Sequence, residues 1–202
     1  RAVLVSCDLA SIGNELRDAV RARLRADLPE LDPAAVVMGA THTHSAPDVR
    51  LTPYGMDAIR DAYRRSVVRD KPRAGSDPFG MWPDIGLDVM SPAEYLEFAA
   101  ARIAGAVRQA WERRVPAGIA YGLGQAVVAR NRRLTYRDGT SRMYGSPAIP
   151  DFRHVEGYED HGVYVLATYA ADRTLTGLIV NVPCPSQVSE NIYRISADYW
   201  HE

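Results

Sequence analysis

Of 202 residues, 47% are hydrophobic and 24% charged, which is the balance of a soluble globular chain with material for a substantial core in one or two domains, and not of a disordered tail. The 24 Lys+Arg nearly cancel the 25 Asp+Glu, so no general electrostatic footprint for nucleic acid or an acidic membrane exists. No apolar stretch approaches the roughly 20 residues of a membrane span, and two cysteines, Cys7 and Cys184, exclude a dense disulfide framework while leaving one bridge possible.

In chain order, the β-branched content of Ala2–Ser6 predicts a first strand that ends near Cys7, where a small buried thiol is the expected state. Asn14–Leu28 carries Leu16, Ala19, Val20, Leu24 and Leu28 at helical spacing, and Pro29 stops it. Ala35–Ala40 predicts a second strand, so the opening reads as β-α-β. Residues 51–90, rich in Arg, Asp, Pro and Gly, read as a long excursion or lid. Ser91-Pro92-Ala93-Glu94 supplies an N-cap, a first-turn proline and a capping-box glutamate for a helix reaching about Arg114. Its stripe of Leu96, Ala99, Ile103, Val107, Ala110 and Trp111 reads as core. Short strands are expected at Gly118–Tyr121, Gln125–Ala129, Gly162–Tyr169 and Thr176–Val182, the last two as a hairpin across Ala171-Asp172-Arg173-Thr174. The fold class is α/β: a β-α-β core with additional mixed strands and a long helix. The chain reads as a fragment of a larger catalytic domain, continuing beyond residue 202.

The chemistry concentrates at Thr41-His42-Thr43-His44-Ser45, directly after the second strand. Side chains two apart leave a strand on one side, so both imidazoles, together with the Ser45 hydroxyl, are expected to face one way. Two neutral imidazoles side by side are half a metal site: Zn²⁺ takes such nitrogens at about 2.0–2.1 Å and then needs further ligands. Hydrogen bonding within a polar strand end is the simpler alternative. In open α/β sheets ligands bind outside the carboxyl ends of strands, and Asp8 holds the equivalent position after the first strand. Ser45 lacks the Gly-x-Ser-x-Gly turn of a hydrolase nucleophile and is expected to cap or hydrogen-bond. His154 and His161 read as loop histidines without a ligand partner.

Val5-Ser6-Cys7-Asp8-Leu9, Ala40-Thr41-His42-Thr43-His44-Ser45, Arg130-Asn131-Arg132 and Ile195-Ser196-Ala197-Asp198-Tyr199 occur in the order and approximate spacing of the amino-terminal catalytic domain of neutral/alkaline ceramidases. The chain resembles that family across nearly its whole length, the Thr-His-Thr-His-Ser segment being the most specific part. The resemblance implies a zinc-dependent amidohydrolase that cleaves an N-acyl amide by metal-activated water. It further implies a Zn²⁺ held by His42 and His44, a third histidine in a later loop, and a glutamate and a tyrosine much further on. Arg132 matches an arginine of the family's Asn-Arg motif that faces the active site, and is the expected oxyanion donor. A solvated basic turn at Arg130-Asn131-Arg132-Arg133 is the alternative. Asp8 and Asp198 are candidates to orient the ligand histidines.

Two departures bear on chemistry. In the family register the third histidine falls on Cys184, between Pro183 and Pro185, so that His42, His44 and Cys184 would form a His₂Cys set; His201 is the alternative third ligand. A thiol nucleophile at Cys184 is disfavoured, since the flanking prolines leave no helix N-terminus to lower its pKa. After the histidines the family continues Gly-Pro-Gly-Gly, whereas Ala46-Pro47-Asp48-Val49 stands here, so the substrate is ceramide or a more polar N-acyl compound. A catalytically inactive binding domain retaining the fold is the competing reading.

Overall fold

Val3–Cys7 (β1) and Val36–Ala40 (β2) pair in parallel, Val3 opposite Val36 and Cys7 opposite Ala40, in a computed structural model that describes residues 2–47, 49, 90–188 and 195–201. The expected excursion over 51–90 therefore lies outside the described residues except for Met90. One sheet face, with Val3, Val5, Cys7, Val36 and Met38, packs into the core. The opposite face leaves Leu4 and Val37 exposed.

The core is closed by two helices. Helix α1, Asn14–Asp27, buries Leu16, Val20 and Leu24 completely, one turn apart, and each fully buried side chain of this kind stabilises by about 1.5–3 kcal/mol. Helix α2, Pro92–Glu112, starts from the capping box that its sequence announces: the Ser91 hydroxyl accepts from Glu94 N at 3.3 Å and Glu94 Oε2 accepts from Ser91 N at 2.8 Å. Its buried face comprises Leu96, Ala99, Ala100, Ala104, Val107 and Trp111, while Ala110, expected on the stripe, is exposed. The Trp111 indole N–H donates to Glu30 Oε1 at 3.2 Å, which satisfies its polar edge.

Contacts divide the chain into two compact units, Arg1–Arg113 with Ser186–Glu202, and Arg114–Pro185. In the second, Gly118–Gln125 (β3), Gly162–Tyr169 (β7) and Leu175–Asn181 (β8) form an antiparallel sheet in the order β3-β7-β8. The expected hairpin is β7/β8, closed by Arg173 at φ 69° with Thr174 N donating to Asp172 Oδ1 at 2.9 Å. The expected pair Gly118–Tyr121 and Gln125–Ala129 is corrected to one strand that runs through Gly122–Gly124 and ends at Gln125, with residues 126–129 in no strand. Gly122 and Gly124 interrupt the apolar pattern but not the ladder, since each has a β7 partner. A second small sheet, Ser141–Arg142 (β5), Leu134–Tyr136 (β4) and Phe152–Val155 (β6) in that order, buries Leu134 and Tyr136. It places His154 on a strand rather than in a loop. Among the described residues no helix is long and apolar enough to cross a membrane.

Candidate functional site

Beyond β2 the backbone stays hydrogen-bonded to the segment leaving β1, with Thr41 N donating to Cys7 O at 3.0 Å and His42 N to Leu9 O at 3.1 Å. At His42 it then turns into the left-handed region, φ 65°. A non-glycine residue there costs roughly 1–2 kcal/mol, and such strain clusters at functional sites. The turn brings the rings of His42 and His44 edge to face, 4.9 Å between centroids.

Both imidazoles are exposed, whereas Thr43 is fully buried and Ser45 is 8% exposed. The expectation that the Ser45 hydroxyl shares the imidazoles' side is therefore corrected: alternation sends Thr43 and Ser45 inward and the two histidines outward. The buried Thr43 hydroxyl donates to Ser196 O at 2.7 Å and accepts from Ser45 N at 3.2 Å, and Ser196 N donates to Ser45 O at 2.9 Å. On the other side Ser186, also fully buried, donates from N to Thr41 O at 2.9 Å and from Oγ to Ala197 O at 3.2 Å. Two later segments thus clasp the histidine turn.

His42 Nδ1 lies 2.7 Å from the Ala10 carbonyl, which fixes the tautomer with hydrogen on Nδ1 and a bare Nε2. That bare nitrogen is 3.3 Å from His44 Nε2. Without a cation, His44 Nε2–H donates to it. With one, the distance suits both lone pairs, because two nitrogens about 2.0–2.1 Å from a tetrahedral zinc stand about 3.3–3.4 Å apart. The Gln187 side-chain amide nitrogen, Nε2, stands 3.4 Å from His44 Nδ1.

The Asp8 carboxylate accepts from the Thr41 hydroxyl at 3.2 Å, and it is the Ala10 carbonyl that meets His42. Asp198 is 7% exposed and left-handed at φ 57°, with Oδ1 accepting from Val188 N at 3.1 Å and Tyr199 N at 2.8 Å. His201 ends a 3₁₀ turn, Asp198–His201, and its side chain is outside the described residues. Neither cysteine is in a disulfide. Burial, and secondarily the neighbouring Asp8 carboxylate, pushes the Cys7 thiol up, so it is a neutral core thiol. Cys184 belongs to the second unit, its Sγ 3.9 Å from Val128 O and 3.5 Å from Pro185 O. Among the described residues no group of three or more His, Cys, Asp or Glu side chains is placed to hold a metal ion.

In the second unit, the Arg130–Arg133 run is organised by Asn131. Its backbone N donates to Glu159 Oε1 at 2.7 Å, its Oδ1 accepts from Arg133 N at 2.9 Å, and its Nδ2 donates to Glu156 O. Glu159 also holds Arg130 at 3.6 Å and His161 at 3.1 Å, and the Asn131 N–H and His161 keep its carboxyl below the usual range. Arg133 pairs with Glu156 at 2.5 Å. Arg132 differs: it is exposed, it stacks over the Tyr144 ring at 5.0 Å, and among the described residues it has no carboxylate partner. Sequence reasoning missed Ala10, Gln187 and Tyr144. A backbone carbonyl carries no residue-type signal, and Gln187 lies 143 positions from the ring it faces.

An α/β architecture with paired imidazoles beyond a parallel strand is thus in place, and comparison with known proteins gives it a fold-level context. No family model and no curated protein matches the chain. Solved structures similar to it include a ceramidase complexed with C2, at 26% identity and a TM-score of 0.57 over 98% of this chain and 25% of that one. Another is the neutral ceramidase from Pseudomonas aeruginosa, at 24% identity and a TM-score of 0.55 over 95% of this chain and 25% of that one. The mixed α/β fold accordingly matches part of a larger ceramidase fold, and the chain spans about a quarter of the length of those proteins.

Proposed function

We propose that this chain carries part of the catalytic site of a zinc-dependent amidohydrolase, which hydrolyses the N-acyl amide bond of ceramide or of a more polar N-acyl compound. The observation that carries the reading is the pair of outward imidazoles whose Nε2 atoms stand 3.3 Å apart, one with its tautomer fixed by the Ala10 carbonyl. Similarity to solved ceramidases supports the substrate class. The donor set fits a borderline-soft cation such as Zn²⁺, and Cys184, at the family's histidine position, would add a thiolate, with His201 as the other candidate. When bound, zinc would supply Lewis acidity and a water acidic enough to attack at neutral pH.

The chain's own residues do the rest. His42 and His44 bind, with His42 held ready by Ala10. Arg132, stacked on Tyr144 and without a carboxylate to neutralise it among the described residues, donates N–H to the amide oxygen as that oxygen becomes negative. In the overall reaction the C–N bond breaks, water supplies the new C–O bond, and a proton leaves with the amine. Replacing Arg132 by Ala in the full-length protein should lower kcat by about 10²–10³-fold with zinc content unchanged. A panel from ceramides to short polar N-acyl amines, read by released amine, tests the substrate class. No turnover of any amide by zinc-replete protein would overturn the catalytic reading in favour of an inactive binding domain.

A further inference from the structure

Arg130, Arg132 and Arg133 stand within four residues of the second unit and have different surroundings. Arg133 pairs with Glu156 and Arg130 lies near Glu159, whereas Arg132 keeps its guanidinium over the Tyr144 ring. The asparagine between them produces the division. Asn131 Oδ1 accepts from Arg133 N at 2.9 Å, an Asx turn that fixes the backbone on both sides of Arg132. Asn131 Nδ2 donates to Glu156 O, and Glu156 N donates to Arg133 O at 2.8 Å, which ties the turn to the Leu134–Val155 end of the β4/β6 ladder. Gly157, at φ 66°, then bends the chain, and Glu159 reaches back so that its Oε1 accepts from Asn131 N at 2.7 Å. Arg130 is 3.6 Å from the same carboxylate and its side chain is 74% exposed, so that ion pair holds little. Glu159 therefore serves the backbone of the turn first.

We infer that Glu159 is the positioning residue of Arg132, holding the Asn131 N–H so that the turn keeps the middle guanidinium clear of carboxylates and available to an amide oxygen; this rests on the reading of Arg132 given above. Arginine has a long, flexible stem, and Glu156, Glu159 and Asp160 lie in one short segment, so a turn no longer held would let Arg132 pair with one of them. A guanidinium paired in this way is neutralised and displaced, and a displacement of about 1 Å costs up to about 10²-fold in rate. What the turn requires of residue 159 is an acceptor rather than a charge, and a glutamine there supplies one.

The test is a double-mutant cycle in the full-length, zinc-replete protein, with a ceramide and a short N-acyl amine as substrates: wild type, Glu159→Leu, Arg132→Ala and the two combined, with Glu159→Gln and Asn131→Ala beside them. For each, kcat, KM, zinc content and the thermal midpoint are read. Glu159→Leu should lower kcat about 10–100-fold with KM and zinc content unchanged. It should lower kcat no further once Arg132 is replaced, because the two residues act as a unit. Glu159→Gln should recover most of the rate. Asn131→Ala, which removes the turn from its other side, should repeat the pattern of Glu159→Leu and decides the matter if that protein does not fold. The same loss with and without Arg132 overturns the inference and assigns Glu159 a structural role; a Gln variant as slow as the Leu variant also overturns it. Wild-type kcat in Glu159→Leu and Asn131→Ala beside a slow Arg132→Ala overturns this inference alone. Wild-type kcat in Arg132→Ala, or no turnover of any amide by the wild type, overturns the catalytic reading of Arg132 and this inference with it.

Discussion

His42 combines a side chain suited to a ligand with a backbone conformation that its Cβ opposes, φ 65°. The clasp by Thr43, Ser45 and Ser186 is what keeps it there, since their hydrogen bonds reach both later segments. The strain is separable from the imidazole's own contact with Ala10 by comparing two variants that both lack the ring. His42→Gly should be more stable than His42→Ala by about 1 kcal/mol, because glycine adopts positive φ without the Cβ penalty. Urea denaturation of the metal-free proteins measures it. Equal midpoints would mean that the turn relaxes to an ordinary conformation once the ring is removed. Asp198, also left-handed, holds its conformation through Val188 N and Tyr199 N in the same way.

Elements with a strong local signal were the legible ones. Periodic Leu16, Val20 and Leu24 marked α1, and Ser91 with Glu94 marked the start of α2. Ser91→Ala removes the hydroxyl that accepts from Glu94 N and should cost about 1 kcal/mol, read from the denaturation midpoint. The β4-β5-β6 sheet was not legible: its strands are two to four residues long, and Thr135, Arg153 and His154 break any apolar pattern. In strand β3, Gly122 and Gly124 look like breaks in the sequence, although cross-strand pairing with Val165 and Val163 carries the strand through them. At the site, residue type made the histidines legible. Their relative geometry was not, because the turn at His42, not strand alternation alone, sets it, and because Ala10 acts through its carbonyl and Gln187 from far along the chain.

At the scale of the molecule, one unit carries the histidine turn and its clasp, and the other carries Arg132, Tyr144 and Cys184. The β3-β7-β8 sheet of the second unit exposes large apolar side chains, among them Tyr121, Leu123, Leu178 and Ile179, and the similar ceramidases are about four times as long as this chain. Tests of function therefore belong to the full-length protein, in which such faces have their native surroundings. Metal content after exhaustive dialysis tests the claim that His42 and His44 hold a metal ion. Elemental analysis should find about one zinc per chain in the wild type and close to none in the His42→Ala, His44→Ala double variant, with both proteins folded. Equally low zinc in the two would contradict the claim and leave the paired imidazoles as a hydrogen-bonded strand end.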